Sequence, residues 1–228
     1  MPAPRICVFD VNETLLDLGA LDLHFKRVFG DAAIRRTWFS QLLQSALVSN
    51  VLQMYSDFSA IGDAALTMVA AREGIELADA DRKTILGAMR ELPPHADVRE
   101  GLGHLRSGGV RLAALTNSTS EVAEQQITNA GLRDSFELVL SADTVRRLKP
   151  APEPYRMAAE KLGVDVKDIR LVAAHDWDVA GAMRAGCSAA FVARSGMTLN
   201  PLFAAPDVVG ADLVAVAQQI LDRESRPS

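Results

Sequence analysis

The sequence predicts a doubly wound α/β fold, in which helices cover a parallel sheet and a helical cap is inserted after the first strand. Three observations carry this prediction. Short apolar runs recur along the chain and are bounded by turn residues. In the second half of the chain, helical patterns separate these runs. A long stretch after the first run has no strand pattern.

Five apolar runs are predicted to be the strands. Their apolar residues are nearly continuous, which is typical of parallel strands that are buried on both faces. The runs cover residues 6–10, 110–117, 136–143, 169–176 and 188–194. Helical patterns separate the later runs and end at glycines, which favour a helix C-terminus. These patterns cover residues 119–130, 153–162 and 178–185, and the glycines are Gly131, Gly163 and Gly186.

The segment from Leu15 to Leu92 has only helix-like stretches, after which Pro93 and Pro94 prevent a helix from continuing. We therefore predict a cap domain of residues 15–96 and a core domain of residues 1–14 and 97–228. A cap inserted after the first strand would lie over the carboxyl ends of the strands, where open α/β sheets bind ligands.

Composition excludes several partners. The chain has 24 basic and 29 acidic residues and a net charge of −5, so no global positive field attracts nucleic acid. No run approaches the roughly 20 apolar residues that a membrane span needs, and the N-terminus does not resemble a signal peptide. Cys7 and Cys187 have no ligand-like spacing and are predicted to be buried thiols in a reducing compartment. We expect a cytoplasmic protein that captures a small anionic substrate locally.

Reactive side chains follow several of the predicted strands. Asp10 ends the first run, Thr116 and Asn117 end the second, Lys149 lies in a loop after the third, and residues 175–178 ("HDWD") end the fourth. Each has an ordinary alternative: a loop or turn residue, a solvated surface amine, or a helix cap. Because parallel strands end at one edge of the sheet, the coincidence favours a single site.

The order of four segments resembles the haloacid dehalogenase superfamily. These are "FDVNETLLD", "LTNST", "LKPAPEPY" and "HDWDVAGAMRAG", and within the superfamily the type II 2-haloacid dehalogenases are the most similar. The resemblance covers nearly the whole chain and implies a Rossmann-like core with an inserted cap. It further implies that Asp10 is the nucleophile. Dimerisation of this family through cap helices suggests a homodimer, for which Leu42, Leu43, Val48 and Val51 are candidates, although they could equally form the cap core.

Two departures argue against the phosphatases that dominate this superfamily. Phosphatases place a second aspartate, the general acid, where this chain has Asn12. Their metal needs an acidic residue near the end of the fourth strand, where this chain has Ala173 and Ala174. Displacement of a halide needs neither, so we predict a dehalogenase without metal or cofactor. A phosphatase with a remodelled, magnesium-dependent site and a non-catalytic binding protein are the alternatives.

The resemblance assigns a role to each motif residue. Asp10 attacks the halogenated carbon, Lys149 holds Asp10, Asp178 orients or deprotonates water, and Thr14 orients Asp10. Thr116 is expected to orient Asp10 and the substrate carboxylate, and Asn117 to contact substrate or halide. Tyr155 matches a site tyrosine or packs in the core. The predicted substrate-binding residues are Val11, Asn12, Phe39, Thr116, Asn117, Tyr155, His175 and Trp177.

The match fails at Phe39, where the family has an arginine that grips halide and substrate, and at His175, where it commonly has asparagine. Arg35, one helical turn before Phe39, could swing in to replace this arginine, but we interpret Arg35 and Arg36 more simply as a solvated basic face. Our hypothesis is that His175, Asn117, Trp177 and backbone amides rebuild the halide site as a compact and more aromatic pocket that favours small leaving groups such as fluoride. The alternative for His175 is a strand-end side chain bonded to a backbone carbonyl.

Overall fold

A six-stranded parallel sheet organises the protein. The computed structural model describes residues 6–224 of the 228-residue chain. In this part of the chain the strand order is β3-β2-β1-β4-β5-β6, which runs outward from β1 in both directions and confirms the predicted doubly wound fold. The strands are β1 (Ile6–Phe9), β2 (Arg111–Thr116), β3 (Leu138–Ser141), β4 (Ile169–Ala173), β5 (Ser188–Val192) and β6 (Val208–Gly210).

Helices cover both faces of this sheet. Apolar residues of α5, α6 and α9 join one hydrophobic cluster, and those of α7 and α8 join a second cluster on the opposite face. None of the helices described is both long and apolar enough to cross a membrane. The helices are α1 (Asp22–Phe29), α2 (Ile34–Leu52), α3 (Phe58–Arg72), α4 (Asp79–Ala88), α5 (Val98–Ser107), α6 (Ser120–Asn129), α7 (Pro152–Leu162), α8 (Asp176–Ala185) and α9 (Leu213–Glu224).

Strand β1 shows why the predicted strands are continuously apolar. Cys7 and Phe9 pack into the first cluster, whereas Ile6 and Val8 pack into the second. Because successive side chains of a strand point to opposite faces and both faces are covered, each position is buried.

Helices α1 to α4 form the insertion between β1 and β2. Its two ends run side by side: the Asp17 amide donates to the Pro93 carbonyl at 2.8 Å, and the His95 amide donates to the Leu15 carbonyl at 2.9 Å. The chain thus leaves and re-enters the sheet at one place. The exact division into a cap of residues 15–96 and a core stays a prediction.

The three predicted helix-ending glycines, Gly131, Gly163 and Gly186, adopt φ values of +64°, +70° and +108°. Three elements were not predicted: α5, β6 and α9. Strand β6 has only three residues, too few for an alternation pattern to be recognised. Helix α8 begins at Asp176 instead of residue 178, and the carboxylates of its first turn suit the positive end of the helix dipole.

Two glycines of α5 allow a matched test of packing. A Cβ atom at Gly101 would lie 2.7 Å from Leu213 Cγ and 2.9 Å from the Leu213 backbone, whereas one at Gly103 would meet no atom within 4 Å. We predict that Gly101→Ala lowers the free energy of unfolding by about 1–3 kcal/mol. Gly103→Ala should raise it by about 0.5–1 kcal/mol, because alanine favours helix. Urea denaturation measures both, and equal effects would contradict this account of the contact between α5 and α9.

Candidate active site

Asp10 follows β1 directly and is buried, with 4% of its surface exposed. Its Oδ1 accepts a hydrogen bond from Lys149 Nζ at 2.9 Å, and its Oδ2 accepts one from Thr14 Oγ1 at 2.6 Å. The Thr14 hydroxyl in turn accepts from the Ala174 amide at 2.9 Å, which ties the loop after β1 to the end of β4. The geometry therefore matches the orienting role predicted for Thr14.

The Lys149 ammonium links the ends of β1 and β2 to the first turn of α8. Besides Asp10, its Nζ donates to Asp178 Oδ2 at 2.6 Å and to the carbonyl of Leu115 in β2 at 2.9 Å. The side chain is 1% exposed, so these acceptors replace water around the charge. Burial alone would lower the pKa of Lys149, but Asp10 and Asp178 outweigh burial and raise it.

The two carboxylates that share this ammonium differ in acidity. Burial favours a raised pKa, but Lys149 and the hydrogen bond from His175 hold the pKa of Asp10 far below its ordinary range. Burial, with the charge of Asp10, keeps the pKa of Asp178 raised despite Lys149. Asp10 is thus ionised and suited to attack, and Asp178 is the better proton acceptor.

Tyr155 contacts Asp178. Its hydroxyl lies 2.5 Å from Asp178 Oδ1, and the side chain is 1% exposed. A Cβ atom at Gly181 would lie 2.9 Å from the Tyr155 hydroxyl oxygen, so only glycine leaves room at this point of α8. Tyr155 therefore supports Asp178, and its contact with substrate stays a prediction.

Asn117 and Thr116 bond to the backbone. Asn117 Oδ1 accepts from the Lys149 amide at 2.7 Å, and Asn117 Nδ2 donates to the Lys149 carbonyl at 3.3 Å. The Thr116 hydroxyl accepts from the Ser118 amide at 3.1 Å. These bonds position the Lys149 loop and the turn after β2, and the substrate contacts of Thr116 and Asn117 stay predictions.

Val11 and Asn12 are also held by the protein. Val11 is a buried core side chain, and its carbonyl accepts from two amides of the following turn. Asn12 Nδ2 donates to Ser118 Oγ at 3.3 Å, and Asn12 Oδ1 accepts from Gln126 Nε2 at 3.0 Å. The Asn12 amide thus links the loop after β1 to the segment after β2, and the substrate contacts of Val11 and Asn12 stay predictions.

His175 bridges two carboxylates. Its Nδ1 lies 3.1 Å from Asp10 Oδ2, and its Nε2 lies 3.0 Å from Glu13 Oε2. Burial alone would lower the pKa of this imidazole, but the hydrogen bonds to Asp10 and Glu13 outweigh burial and raise the pKa to about 10. The ring is therefore an imidazolium that donates from both nitrogens. The alternative of a single bond to a backbone carbonyl is wrong.

Aromatic rings surround the imidazolium. The Trp177 ring stacks on His175 with centroids 5.0 Å apart, and the Phe39 ring from α2 lies 6.2 Å away. An imidazolium near an aromatic face gains cation–π attraction. Phe39 and Trp177 are thus brought to His175, as the prediction of an aromatic pocket requires.

Glu13 was missed as a site residue, and Arg35 was considered only as an alternative to a solvated face. Glu13 has a φ of 63°, a left-handed conformation that is unusual for a residue with a side chain. Arg35 is 7% exposed, and it contacts Glu13 Oε1 at 3.8 Å and Asp22 Oδ1 at 2.5 Å, so its interpretation as part of a solvated face is wrong. Its spacing of four residues from Phe39 places both on one face of a helix and could have indicated the contact.

Two cavities lie against helix α2. A cleft of about 660 Å³ is lined by Glu13, Arg35, Phe39, His175 and Trp177 among others. A smaller cavity of about 80 Å³ lies between α2, α3 and Ser118, with Trp38, Leu42 and Phe58 in its wall. The structure therefore offers an open approach to His175 and a confined apolar space beside the turn after β2.

The side chains at this edge do not fit a magnesium ion. Ala173 and Ala174 offer no side-chain oxygen, and the imidazolium of His175 lies where a cation would neutralise Asp10 Oδ2. Among residues 6–224, no group of three or more His, Cys, Asp or Glu side chains is arranged to hold a metal. Lys149 and His175 supply the positive charge instead.

Comparison with known proteins agrees with this geometry. The family model of haloacid dehalogenase-like hydrolases matches residues 4–186. The chain belongs to this family. The resemblance in the four sequence motifs is therefore confirmed, as is the assignment of the doubly wound fold to this family.

Several proteins similar to this haloacid dehalogenase-like hydrolase are named as dehalogenases. The chain is 28% identical to the (S)-2-haloacid dehalogenase of Pseudomonas sp. strain YL, with 92% of this chain and 91% of the relative covered. It is 28% identical to haloacetate dehalogenase H-2 of Moraxella sp. strain B, with 87% and 90% covered. The structure of L-2-haloacid dehalogenase from Xanthobacter autotrophicus with chloropropionic acid covalently bound superposes with a TM-score of 0.90 at 26% identity, with 98% and 100% covered.

The raised pKa of His175 makes a prediction about stability. A folded-state pKa of about 10 against an ordinary value of 6.5 means that pairing with Asp10 and Glu13 stabilises the fold fully below pH 6.5. This contribution declines as the pH rises and is lost above about pH 10. We predict that the difference in unfolding free energy between wild type and His175→Phe is larger at pH 6 than at pH 10, on the order of a few kcal/mol. Urea denaturation at both pH values measures it, and an unchanged difference would show that His175 is neutral.

Proposed function

We propose that this haloacid dehalogenase-like hydrolase converts short 2-haloalkanoic acids, haloacetates among them, into 2-hydroxy acids and halide. One observation carries the proposal: an ionised carboxylate, Asp10, is held at the edge of the sheet by Lys149, and the residue two positions later is the amide Asn12, not the carboxylic acid that a phosphatase needs there. Such a carboxylate suits a leaving group that departs as an anion, as a halide does.

In the first step, Asp10 Oδ1 attacks the carbon that bears the halogen. A carbon–oxygen bond forms while the carbon–halogen bond breaks, and the halide takes the bonding electrons. Lys149 holds the attacking oxygen in position through its 2.9 Å bond. The step leaves an ester on Asp10 and needs no proton.

In the second step, water attacks Cγ of the ester. Asp178 accepts one proton from the water, and the bond from Cγ to Oδ1 breaks, so that Oδ1 leaves in the product. Lys149 gives a proton to the leaving alkoxide and regains one from Asp178 through their 2.6 Å bond. The second proton of the water departs from the new Asp10 carboxyl group into solvent. The balance is one water consumed and one 2-hydroxy acid, one halide and one proton produced.

The relatives support this chemistry. Two of them are named for dehalogenation of (S)-2-haloacids and of haloacetate, and the similar Xanthobacter structure carries chloropropionic acid covalently bound. By contrast, a phosphatase would need an acid at residue 12, where the Asn12 amide is bonded to Ser118 and Gln126.

We also propose that residues 15–96 act as a cap that closes over a small anionic substrate and excludes bulk water. The contact between Phe39 of α2 and the His175 ring supports this role. The buried thiols Cys7 and Cys187 agree with the cytoplasm as the compartment.

Halide release tests the proposed function. We predict that the wild type releases halide from chloroacetate or bromoacetate equally with and without EDTA, and that Asp10→Asn reduces release to the background rate because the nucleophile is lost. Asp165→Asn, an exposed carboxylate, serves as the control. Ion-selective detection measures the halide, with fluoroacetate as a further substrate. EDTA-sensitive release of phosphate from a small ester would favour the phosphatase. Binding of a haloacetate without any turnover would favour the non-catalytic binding protein.

The homodimer stays a prediction with a direct test. Leu42 is buried within the insertion, whereas Val48 and Val51 are exposed by 49% and 81% next to the exposed Leu52. We expect that a second copy covers this apolar end of α2, and that Val51→Asp shifts the protein to a monomer because a buried carboxylate is costly. Leu202→Asp, at an exposed position outside α2, should not. Light scattering with gel filtration measures the mass, and a wild-type monomer would contradict the proposal.

A further inference from the structure

The two oxygens of Asp10 have different surroundings. Oδ1 accepts from Lys149 alone, whereas Oδ2 accepts from both the Thr14 hydroxyl and His175 Nδ1, among the bonds of the described residues. An oxygen with two donors has less lone-pair density for attack. Oδ1 is therefore the nucleophile, and Oδ2 becomes the carbonyl oxygen of the ester.

We infer that His175 is a catalytic residue of ester hydrolysis, where its Nδ1–H and the Thr14 hydroxyl stabilise the oxyanion on Asp10 Oδ2, and that Glu13 is the positioning residue that holds His175. This inference rests on the proposed dehalogenase function. When the oxygen of water adds to Cγ, the electrons of the carbonyl bond move to Oδ2. They return to the carbonyl bond when Oδ1 leaves.

The two donors are in place before the charge develops. The Thr14 oxygen lies 2.6 Å and the His175 nitrogen 3.1 Å from Oδ2, within hydrogen-bond distance. Fixed donors of this kind stabilise an oxyanion without reorganisation in the transition state. The Ala174 amide bond to Thr14 directs the hydroxyl hydrogen toward Asp10.

Glu13 explains how the charge of His175 survives the first step. Once Asp10 is alkylated it is neutral, and its share in holding the proton on His175 is reduced. Glu13 Oε2, at 3.0 Å from Nε2, remains as the anionic partner, and Arg35 fixes Glu13 from α2. The left-handed backbone of Glu13 delivers its side chain to this position, and strain of this kind is common at functional sites.

This role differs from the halide contact hypothesised from the sequence. Both N–H groups of His175 already point at carboxylates, of Asp10 and Glu13, so the ring has no N–H left for a halide. Trp177 stacks on the ring and fixes its plane. The ring is thus directed at the oxygen that carries charge in hydrolysis.

The experiment separates the two steps of the reaction with chloroacetate. We expect His175→Phe, which keeps an aromatic ring but has no N–H, to release about one halide per site rapidly and then to turn over about 10²-fold more slowly than wild type. Intact-protein mass spectrometry should find the carboxymethyl ester on a larger fraction of the variant than of the wild type. The exposed pair His104 and Glu100 on α5 supplies the controls, His104→Phe and Glu100→Gln, which should behave as wild type.

Glu13→Gln tests the positioning role and replaces His175→Phe if circular dichroism shows that the latter is unfolded. It should also accumulate ester, with turnover about 10-fold slower, because the anion that holds the imidazolium is lost. If either folded variant slows the first halide release to the same extent as turnover and no ester accumulates, or turns over as wild type, the inference is wrong. A wild type that releases no halide from any haloacetate would overturn the proposed function, and the inference with it.

Discussion

The buried bond network of Lys149 is the interaction on which the site depends. One ammonium contacts Asp10, Asp178 and the Leu115 carbonyl, and so joins the ends of β1 and β2 to the first turn of α8. Burying three charges costs much solvation energy, which their mutual attraction offsets only when the geometry is good. Loss of one partner would leave the others uncompensated, so the remaining contacts of the site hold this geometry.

Two sets of contacts maintain it. Asn117, which follows β2, bonds the backbone N–H and C=O groups of Lys149, and Tyr155 of α7 holds Asp178. Lys149 and Asp178 are therefore each fixed by a neighbouring part of the chain. On the other side of Asp10, charges alternate from His175 to Glu13 and on to Arg35 of the insertion. The nucleophile therefore lies between two cations, one in the core and one that is tied to the helices above it.

The prediction was most accurate where strand ends determine position. Asp10, Thr14, Lys149 and Asp178 meet as expected because parallel strands deliver their carboxyl ends to one edge of the sheet. The prediction was wrong for Arg35. An arginine on a helix is expected to be solvated unless a carboxylate is known to face it, and the contacts with Glu13 and Asp22 appear only in the folded chain. The prediction was incomplete for Thr116 and Asn117, because a polar side chain after a strand suits a ligand and the backbone of a neighbouring loop equally well.

The sequence by itself determined the doubly wound fold, the helical insertion and the presence of a nucleophile, Asp10, with an amide in place of the phosphatase acid at Asn12. Apolar runs, helix-ending glycines and the residues Asp10 and Asn12 are local features. They can be recognised from residue types and spacings within short segments of the sequence. Only the tertiary structure decided that Glu13 and Asp10 face the two nitrogens of His175, with Arg35 behind them. These contacts join residues far apart in the chain, and a protonated histidine exists there because folding brings two carboxylates to one imidazole.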